Sequence, residues 1–546
     1  MQTALAKTAI EDTIDEVRAS GHFGLLVDES TDRSTEKTLI IYVKYQCAGV
    51  SKTKFLCMAE LEAADADGIV NCIKNSLLEY GLDIGKCVPY ASDGASVMMG
   101  RTNGVVAKLK TVCPIIASVH CIAHRLQLAL VHASHSVDYL DEFQGVVNSI
   151  YKYYHCSAKR LGTLRKIQEV FDLAHRKFKE VFDVRWLSFH GAVDAILYNL
   201  EPLIHALNED KRQPGNATAP GLLTFVLTFN FLATVHMVSD VLGHLSRLSR
   251  LFQTKNIDFF QANLRFNACL AALTKMKSKP GPILQQFLNT LPQTEVELPR
   301  NASSFMWNGI EIQFNRRDGI DGFNRMMGKF LKQLCDNLEA RFPDADALKA
   351  FSILNPKSMP VTNPTDSTEW TSYGIDNVDL LAKQIEGAYA KSPQETPPVT
   401  VNGLQCEWVE IKNMMRKSFS FLSTADFIEK FVSLDSIVHQ TDQASSDSVS
   451  EQMNVGLSAY PNFVALVKLY LCIPISSVDC ERGFSTYNNI KTAIRSRLNV
   501  STVNILMQMS VDTPSITSME EFNFDKAFQY WCGMKARRTH QLLVSD

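Results

Sequence analysis

Two aspartates, Asp28 and Asp93, close short apolar runs that read as β-strands, FGLLVD from Phe23 and CVPYAS from Cys87 with Asp93 next. If the two strands lie in one sheet, both carboxylates sit near one rim, where open sheets gather ligands. Hard oxygen donors of this kind suit Mg²⁺ or Mn²⁺. A pair of such ions can activate a water or hydroxyl and stabilise the leaving oxygen in phosphodiester cleavage. That chemistry normally needs a third carboxylate, and an aspartate at a strand end also serves ordinary turns. Glu29, Asp32 and Glu36 crowd the first position and compete for the same assignment.

Cys121 and His124 form a CxxH pair opening a helix. As transition-metal ligands they need two further donors, and with only His132 and His135 nearby no zinc site is expected. Basic residues gather at Lys152, Lys159, Arg160, Arg165, Lys166, Arg176, Lys177 and Lys179, and again at Arg482, Lys491, Arg495 and Arg497. Such clusters can hold phosphates and would make DNA binding fall steeply with salt. Each lysine alone also fits a solvated helix face.

The elements that must position these groups follow from the apolar pattern. LIIYVKYQ from Leu39 and KTKFLCMAELE from Lys52 are β-branched, partly alternating runs that continue the first strand as a meander. Ile69, Ile73 and Leu77 recur at helical spacing up to Gly81, so CVPYAS returns as a parallel strand after a crossover. A helix over Ala95–Lys110, a strand in IIASVHC and a helix in AHRLQLALVHA complete an α/β pattern of three strands, helix, strand, helix, strand, which implies a mixed sheet covered by helices. From about Ser136 to Glu451 long helical segments alternate with polar breaks such as EDKRQPGNATAPG and KSPQETPPVTVNG. DQASSDSVSEQ reads as a linker before the helices of ALVKLYLCI and SSVDCERGFSTYNNIKTAIRSRL.

Composition removes several function classes. With 546 residues and 46% apolar content the chain can bury a sizeable core. Its 55 basic and 58 acidic residues nearly cancel, so a nucleic-acid surface has to be a local patch. Thirteen cysteines without CxxC spacing suit a reducing compartment better than a secreted disulfide framework. The acidic N-terminal stretch lacks the apolar core of a secretory signal. The most apolar stretch, Gly221 to Leu242, is interrupted by Asn230, His236 and Asp240, so a buried helix is expected there and no membrane partner.

Five motifs, VDEST at 27–31, ASDGASVMMG at 91–100, VHCIAHRLQLAL at 119–130, VRWLS at 184–188 and the 476–498 segment, resemble hAT-superfamily transposases in that order. The likeness runs from about Phe23 to Met509, with 190–459 similar only in helical character. It implies an RNase H-like mixed sheet core interrupted by a large, mainly α-helical insertion, with C-terminal hAT dimerisation helices. The expected divisions are an N-terminal helix over 1–22, the first part of the core over 23–135, the insertion over 136–451, the C-terminal region over 452–530 and a tail over 531–546.

The same resemblance makes Asp28, Asp93 and Glu481 the catalytic and metal-binding acids of a DDE triad, with Asp32 as the alternative to Asp28. Glu481 lies 388 residues beyond Asp93, a separation that an inserted domain would explain. By position alone Glu481 suits a helix-surface ion pair. The resemblance also implies that Cys121 and His124 help handle DNA, and that Arg185 and Trp186 are an RW element whose ring stacks on a base, worth roughly 1–3 kcal/mol; a buried Trp under an Arg fits equally. Mg or Mn as a two-ion site, DNA (transposon ends) as partner, a homodimer or higher oligomer and a nuclear location are implied as well, with no small-molecule cofactor. The stripe Phe463, Val467, Leu471, Phe484, Ile490, Ile494, Leu498, Ile505 and Leu506 serves dimerisation or packing inside the chain. Transposases of this kind usually carry an N-terminal BED-type zinc finger; the chain starts 27 residues before Asp28, so none is expected. The alternative function is a domesticated, transposon-derived nuclear protein that binds protein or DNA without catalysis. KARR at 535–538 is too short to serve as a nuclear signal.

Overall fold

The computed structural model describes residues 1–31, 37–113, 117–179, 186–213, 216–254, 259–291, 303–314, 319–342, 349–360, 368–390, 396–443, 458–495, 497–511 and 522–534. Chain contacts divide the protein into two units, Met1–Ile122 with Lys255–Phe260 and Asp344–Asp546, and Ala123–Thr254 with Gln261–Pro343.

In the first unit, helix α1 (Gln2–Ser20) precedes strands β1 (Phe23–Thr31), β2 (Lys37–Cys47) and β3 (Val50–Glu60). The β2–β3 hairpin turns on Ala48 and Gly49, both at positive φ, the twist that short antiparallel hairpins favour. After α2 (Ala66–Glu79) the chain crosses over to β4 (Cys87–Ser92), passes through α3 (Ser96–Met99) and α4 (Val105–Val112), and adds β5 (Ala117–His120). The sheet order is β3-β2-β1-β4-β5, with the meander antiparallel and β4 and β5 parallel. This is the mixed sheet the sequence implied. Two details differ. The single helix expected over Ala95–Lys110 is broken into α3 and α4 where Gly104 donates its N–H back to the Gly100 carbonyl. β1 also runs past Asp28 to Thr31, because its pairing with β2 continues to Thr31↔Lys37.

Side-chain alternation makes β2 a two-faced core strand. Leu39, Ile41, Val43 and Tyr45 pack with Leu25 and Val27 against Ile10, Ile14 and Val17 of α1 and Ile69, Ile73 and Leu77 of α2. Ile40 and Tyr42, with Leu26, Phe55 and Met58, face the opposite layer, supplied by the C-terminal helices. Each such side chain contributes roughly 1.5–3 kcal/mol on burial. Order along the two faces is therefore set by the strands' own residues.

The second unit comprises α5 (Ile122–Ser134, from its second residue), α6 (Asp138–His155), α7 (Ala158–Val170), α8 (Trp186–Tyr198), α9 (Leu200–Lys211), α10 (Thr218–Val226), α11 (Phe229–Phe252), most of α12 (Phe259–Met276), α13 (Pro282–Asn289), a hairpin of β6 (Ser304–Trp307) and β7 (Ile310–Gln313), and α14 (Gly319–Arg341). α11 is buried along most of its length, and two of the polar residues that interrupt it have partners. His236 bonds the Leu232 carbonyl, and Asp240 accepts from the N–H groups of Ile283 and Leu284 at the start of α13. Among the described residues no helix is long and apolar enough to cross a membrane.

The first unit then resumes with α15 (Thr368–Ser372), α16 (Ile375–Tyr389), α17 (Val401–Met414), α18 (Thr424–Gln443), α19 (Pro461–Leu471), α20 (Val478–Ile490), α21 (Val500–Ser510) and α22 (Phe524–Gly533). The stretch expected as one insertion over 136–451 is thus shared between both units. Most of the 442–452 linker lies outside the described residues.

Candidate active site

Parallel pairing brings the two aspartates to one level. β1 and β4 match Leu25 with Tyr90 and Leu26 with Ala91, so Asp28 and Asp93 each lie two residues beyond paired positions. Asp28 shares the strand face of Leu26, the face that packs on α20 and α21. α20 rests there through buried Cys480 and Tyr487 and through Gly483. A Cβ on Gly483 would meet Ile40 Cδ1 at 2.3 Å and Tyr42 Oη at 2.7 Å, so the glycine of the CERGFS segment is what lets the helix lie flat on β2. Glu481, beside Cys480, then reaches the rim.

Asp28 senses the other two acids. Asp28 is largely removed from water, and its carboxyl is pushed up to about 7, first by burial and then by the charges of Asp93 and Glu481. No Lys or Arg among the described residues forms an ion pair with any of the three. Asp93 accepts the Ala95 N–H at 3.2 Å in the turn after β4. A cluster of carboxylate oxygens that no described Lys or Arg neutralises suits a divalent ion in charge and donor type. Its spacing is not a ligand shell, since among the described residues no group of three or more His, Cys, Asp or Glu is set to hold a metal ion.

Of the neighbouring acids, Glu29 is the one among the described residues. Glu29 is exposed; partial burial raises its carboxyl, Lys37 opposes this and Asp93 adds to it. Asp32 and Glu36 lie outside the described residues.

Cys121 is fully buried, and its sulfur accepts the Ser477 N–H at 3.3 Å, while the Ile122 N–H bonds the Ile475 carbonyl. The cysteine of the CxxH pair thus anchors the approach to α20. His124 belongs to the second unit, as does Trp186, the first residue of α8, whose side chain is not described; Arg185 lies outside the described residues. His132 and His135 have other partners, Arg341 and Asp141.

Of the basic residues near Glu481, Arg482 pairs with Asp479 at 3.1 Å, while Arg495 and Arg497 are exposed. Lys491, at the C-terminal end of α20, is only 6% exposed. Most of the apolar stripe is used internally: Phe463 and Val467 are buried, and Phe484, Ile490 and Leu498 pack against the sheet, which leaves Ile494 in the open.

One rim residue was missed. His120 ends β5 opposite Ser92, and a Cβ on Gly94 would meet its ring at 2.2 Å, so SDG in the second motif needs its glycine to seat an imidazole beside Asp93. The signal was present in VHC, where His120 precedes Cys121 at a strand end.

Residues 1–104 match the ZMYM1/FAM200 RNase-like domain, and residues 451–511 match the hAT family C-terminal dimerisation region. The chain is also similar to the mouse 52 kDa repressor of the inhibitor of the protein kinase (Mus musculus), 23% identical over 280 residues, covering 49% of this chain and 37% of that protein. The match therefore spans little more than a third of that relative.

Proposed function

We propose, for a chain that matches a ZMYM1/FAM200 RNase-like domain and an hAT C-terminal dimerisation region, metal-dependent DNA cleavage and strand transfer through Asp28, Asp93 and Glu481. The carrying observation is that a strand, a strand end and a helix from the far end of the chain bring three carboxylates, none ion-paired to a described Lys or Arg, within electrostatic reach at one sheet rim.

Mg²⁺ or Mn²⁺ ions, when bound, supply the Lewis acidity that lowers the barrier to phosphodiester cleavage. The chain's own part is to present oxygen donors of the right type. Asp28 is fixed by its strand, Asp93 by its turn, and Glu481 by a helix that Gly483 holds against β2. DNA, in the form of transposon ends, is the substrate in this reading, and a nuclear location follows from it. The C-terminal dimerisation region supports a homodimer or larger assembly working at the two ends.

A second reading is a transposon-derived nuclear protein that dimerises and binds protein or DNA without catalysis. It draws on the absence, among the described residues, of a ready ligand shell. Nicking of supercoiled plasmid in Mg²⁺ or Mn²⁺ separates the two. Activity in the unaltered protein that disappears in Asp93→Asn and in Glu481→Gln supports the nuclease. Equal background from all three folded proteins moves the function to the non-catalytic reading.

A further inference from the structure

Unit two carries a basic ridge that the acid cluster does not use. The segment after α7 runs alongside α8. The Arg176 guanidinium lies 4.8 Å from the ring centre of Tyr198, at the helix's C-terminal end, and its carbonyl accepts from Gln168 and Asn199. Three residues on, Lys179 Nζ stands 3.2 Å from the position a Cβ on Gly191 would occupy, two turns nearer the start of the helix. Seven residues of helix span about 10 Å, which an extended tripeptide covers. The basic side chains are therefore spread along α8, towards its first residue Trp186.

The neighbouring helix α11 adds to the ridge. It packs on α8, where Ser239 donates to Asp194 at 3.1 Å, and it presents exposed Arg247 and Arg250 on one side, about 5–6 Å apart as an i,i+3 pair. Arg247 meets His244, and Arg250 bonds its own helix at the Ser246 carbonyl. Among the described residues, neither of them, nor Lys179 or Arg176, forms an ion pair with a carboxylate. Lys179, Arg247 and Arg250 gather around His190, and Arg176 lies at the C-terminal end of α8. His190, whose imidazole sits 3.4 Å from Asp194, has its protonation suppressed by burial and then by Arg250, Arg247 and Lys179 despite that carboxylate.

We propose that Arg176, Lys179, Arg247 and Arg250 form a docking ridge for the phosphate backbone of duplex DNA. Exposed cations on α11 and on the segment beside α8, none of them ion-paired to a carboxylate among the described residues, are matched by a polyanion with regularly spaced charges. Phosphate contacts fix register without reading sequence. This inference rests on the reading that the chain works at DNA, and it is independent of cleavage.

The test is fluorescence anisotropy of a labelled duplex with the full chain in EDTA, across a salt series. One variant combines Lys179→Gln, Arg247→Gln and Arg250→Gln; a control combines Lys275→Gln, Lys277→Gln and Lys279→Gln, exposed residues of the same unit with the same charge change. Melting curves confirm that both are folded. The ridge variant should bind roughly tenfold or more weakly, with its log–log salt slope reduced by about two to three, while the control keeps both. Equal losses in the two variants would reduce the effect to bulk charge and overturn the ridge. So would an unchanged ridge variant, or failure of the unaltered protein to bind duplex at all. Asp93→Asn measured in parallel separates the readings: full binding without nicking leaves the ridge standing, and nicking absent from every protein removes only the nuclease.

Discussion

Asp28 and Asp240 are both aspartates whose carboxyls burial has raised, and they occupy opposite situations. Asp240, in α11, receives two backbone N–H groups from α13, so its charge does structural work and opposes the desolvation. Asp28 has a backbone hydrogen bond and then two like charges, Asp93 and Glu481, which drive its carboxyl higher still. A fold that spends a buried carboxylate on capping a helix gains stability from it. A fold that crowds three carboxylates at a rim pays in stability and keeps them for something that arrives later.

The largest effect expected from this contrast is catalytic. Asp28→Asn should lower metal-dependent nicking by at least about a thousandfold, equivalent to roughly 4 kcal/mol of barrier, whereas Asp240→Asn should leave nicking per folded molecule unchanged. Plasmid relaxation normalised to folded protein measures both. An Asp28→Asn protein as active as the unaltered chain would erase the distinction.

Stability should reverse the ranking. Asp240→Ala leaves two N–H groups at a buried helix start without their acceptor and should cost about 2–4 kcal/mol in chemical denaturation. Gly483→Ala comes next, at about 1–3 kcal/mol, because the methyl group meets Ile40 and Tyr42 and must push α20 off the sheet. If Gly483→Ala unfolded no more easily than the parent, the close seating of Glu481's helix would be wrong.

These cases also show what the residues disclose before folding. CVPYAS matches β4 residue for residue, since a short buried run bounded by polar residues has few alternatives. The length of β1 was hidden, because its last residues are polar and are held by pairing with β2. Glu481 could not be placed from spacing, and only its motif resemblance linked it to Asp28; its charge reaches Asp28 because Gly483 lets α20 lie on β2, a tertiary fact. The ridge on α8 was half legible. Lys179 stands in a visible basic run, but Arg247 and Arg250 belong to an otherwise apolar helix and join it only when α11 packs on α8. The burial of Lys491, a basic residue in a motif, was not legible either.

The smallest effects test whether crowding at Asp28 is relieved by a cation. Its folded carboxyl titrates near 7, above the ordinary value of 3.8, so the folded state holds a proton that the unfolded chain releases across that window. Stability from this group is therefore full below about pH 4 and is lost as pH rises towards 7. Asp28→Asn, which never ionises, should gain relative to the parent over the same interval and be more stable by about 1–3 kcal/mol at pH 8 in EDTA. Adding Mg²⁺ or Mn²⁺ should narrow that gap by stabilising the parent alone, by about 1.4 kcal/mol at ten times the dissociation constant. Thermal melts at pH 4, 6 and 8, with and without the ion, read all of this. A parent that gains stability between pH 4 and 7 relative to the variant would mean that the fold lowers the Asp28 carboxyl instead of raising it. A metal shift of the same size in both proteins would place the ion elsewhere.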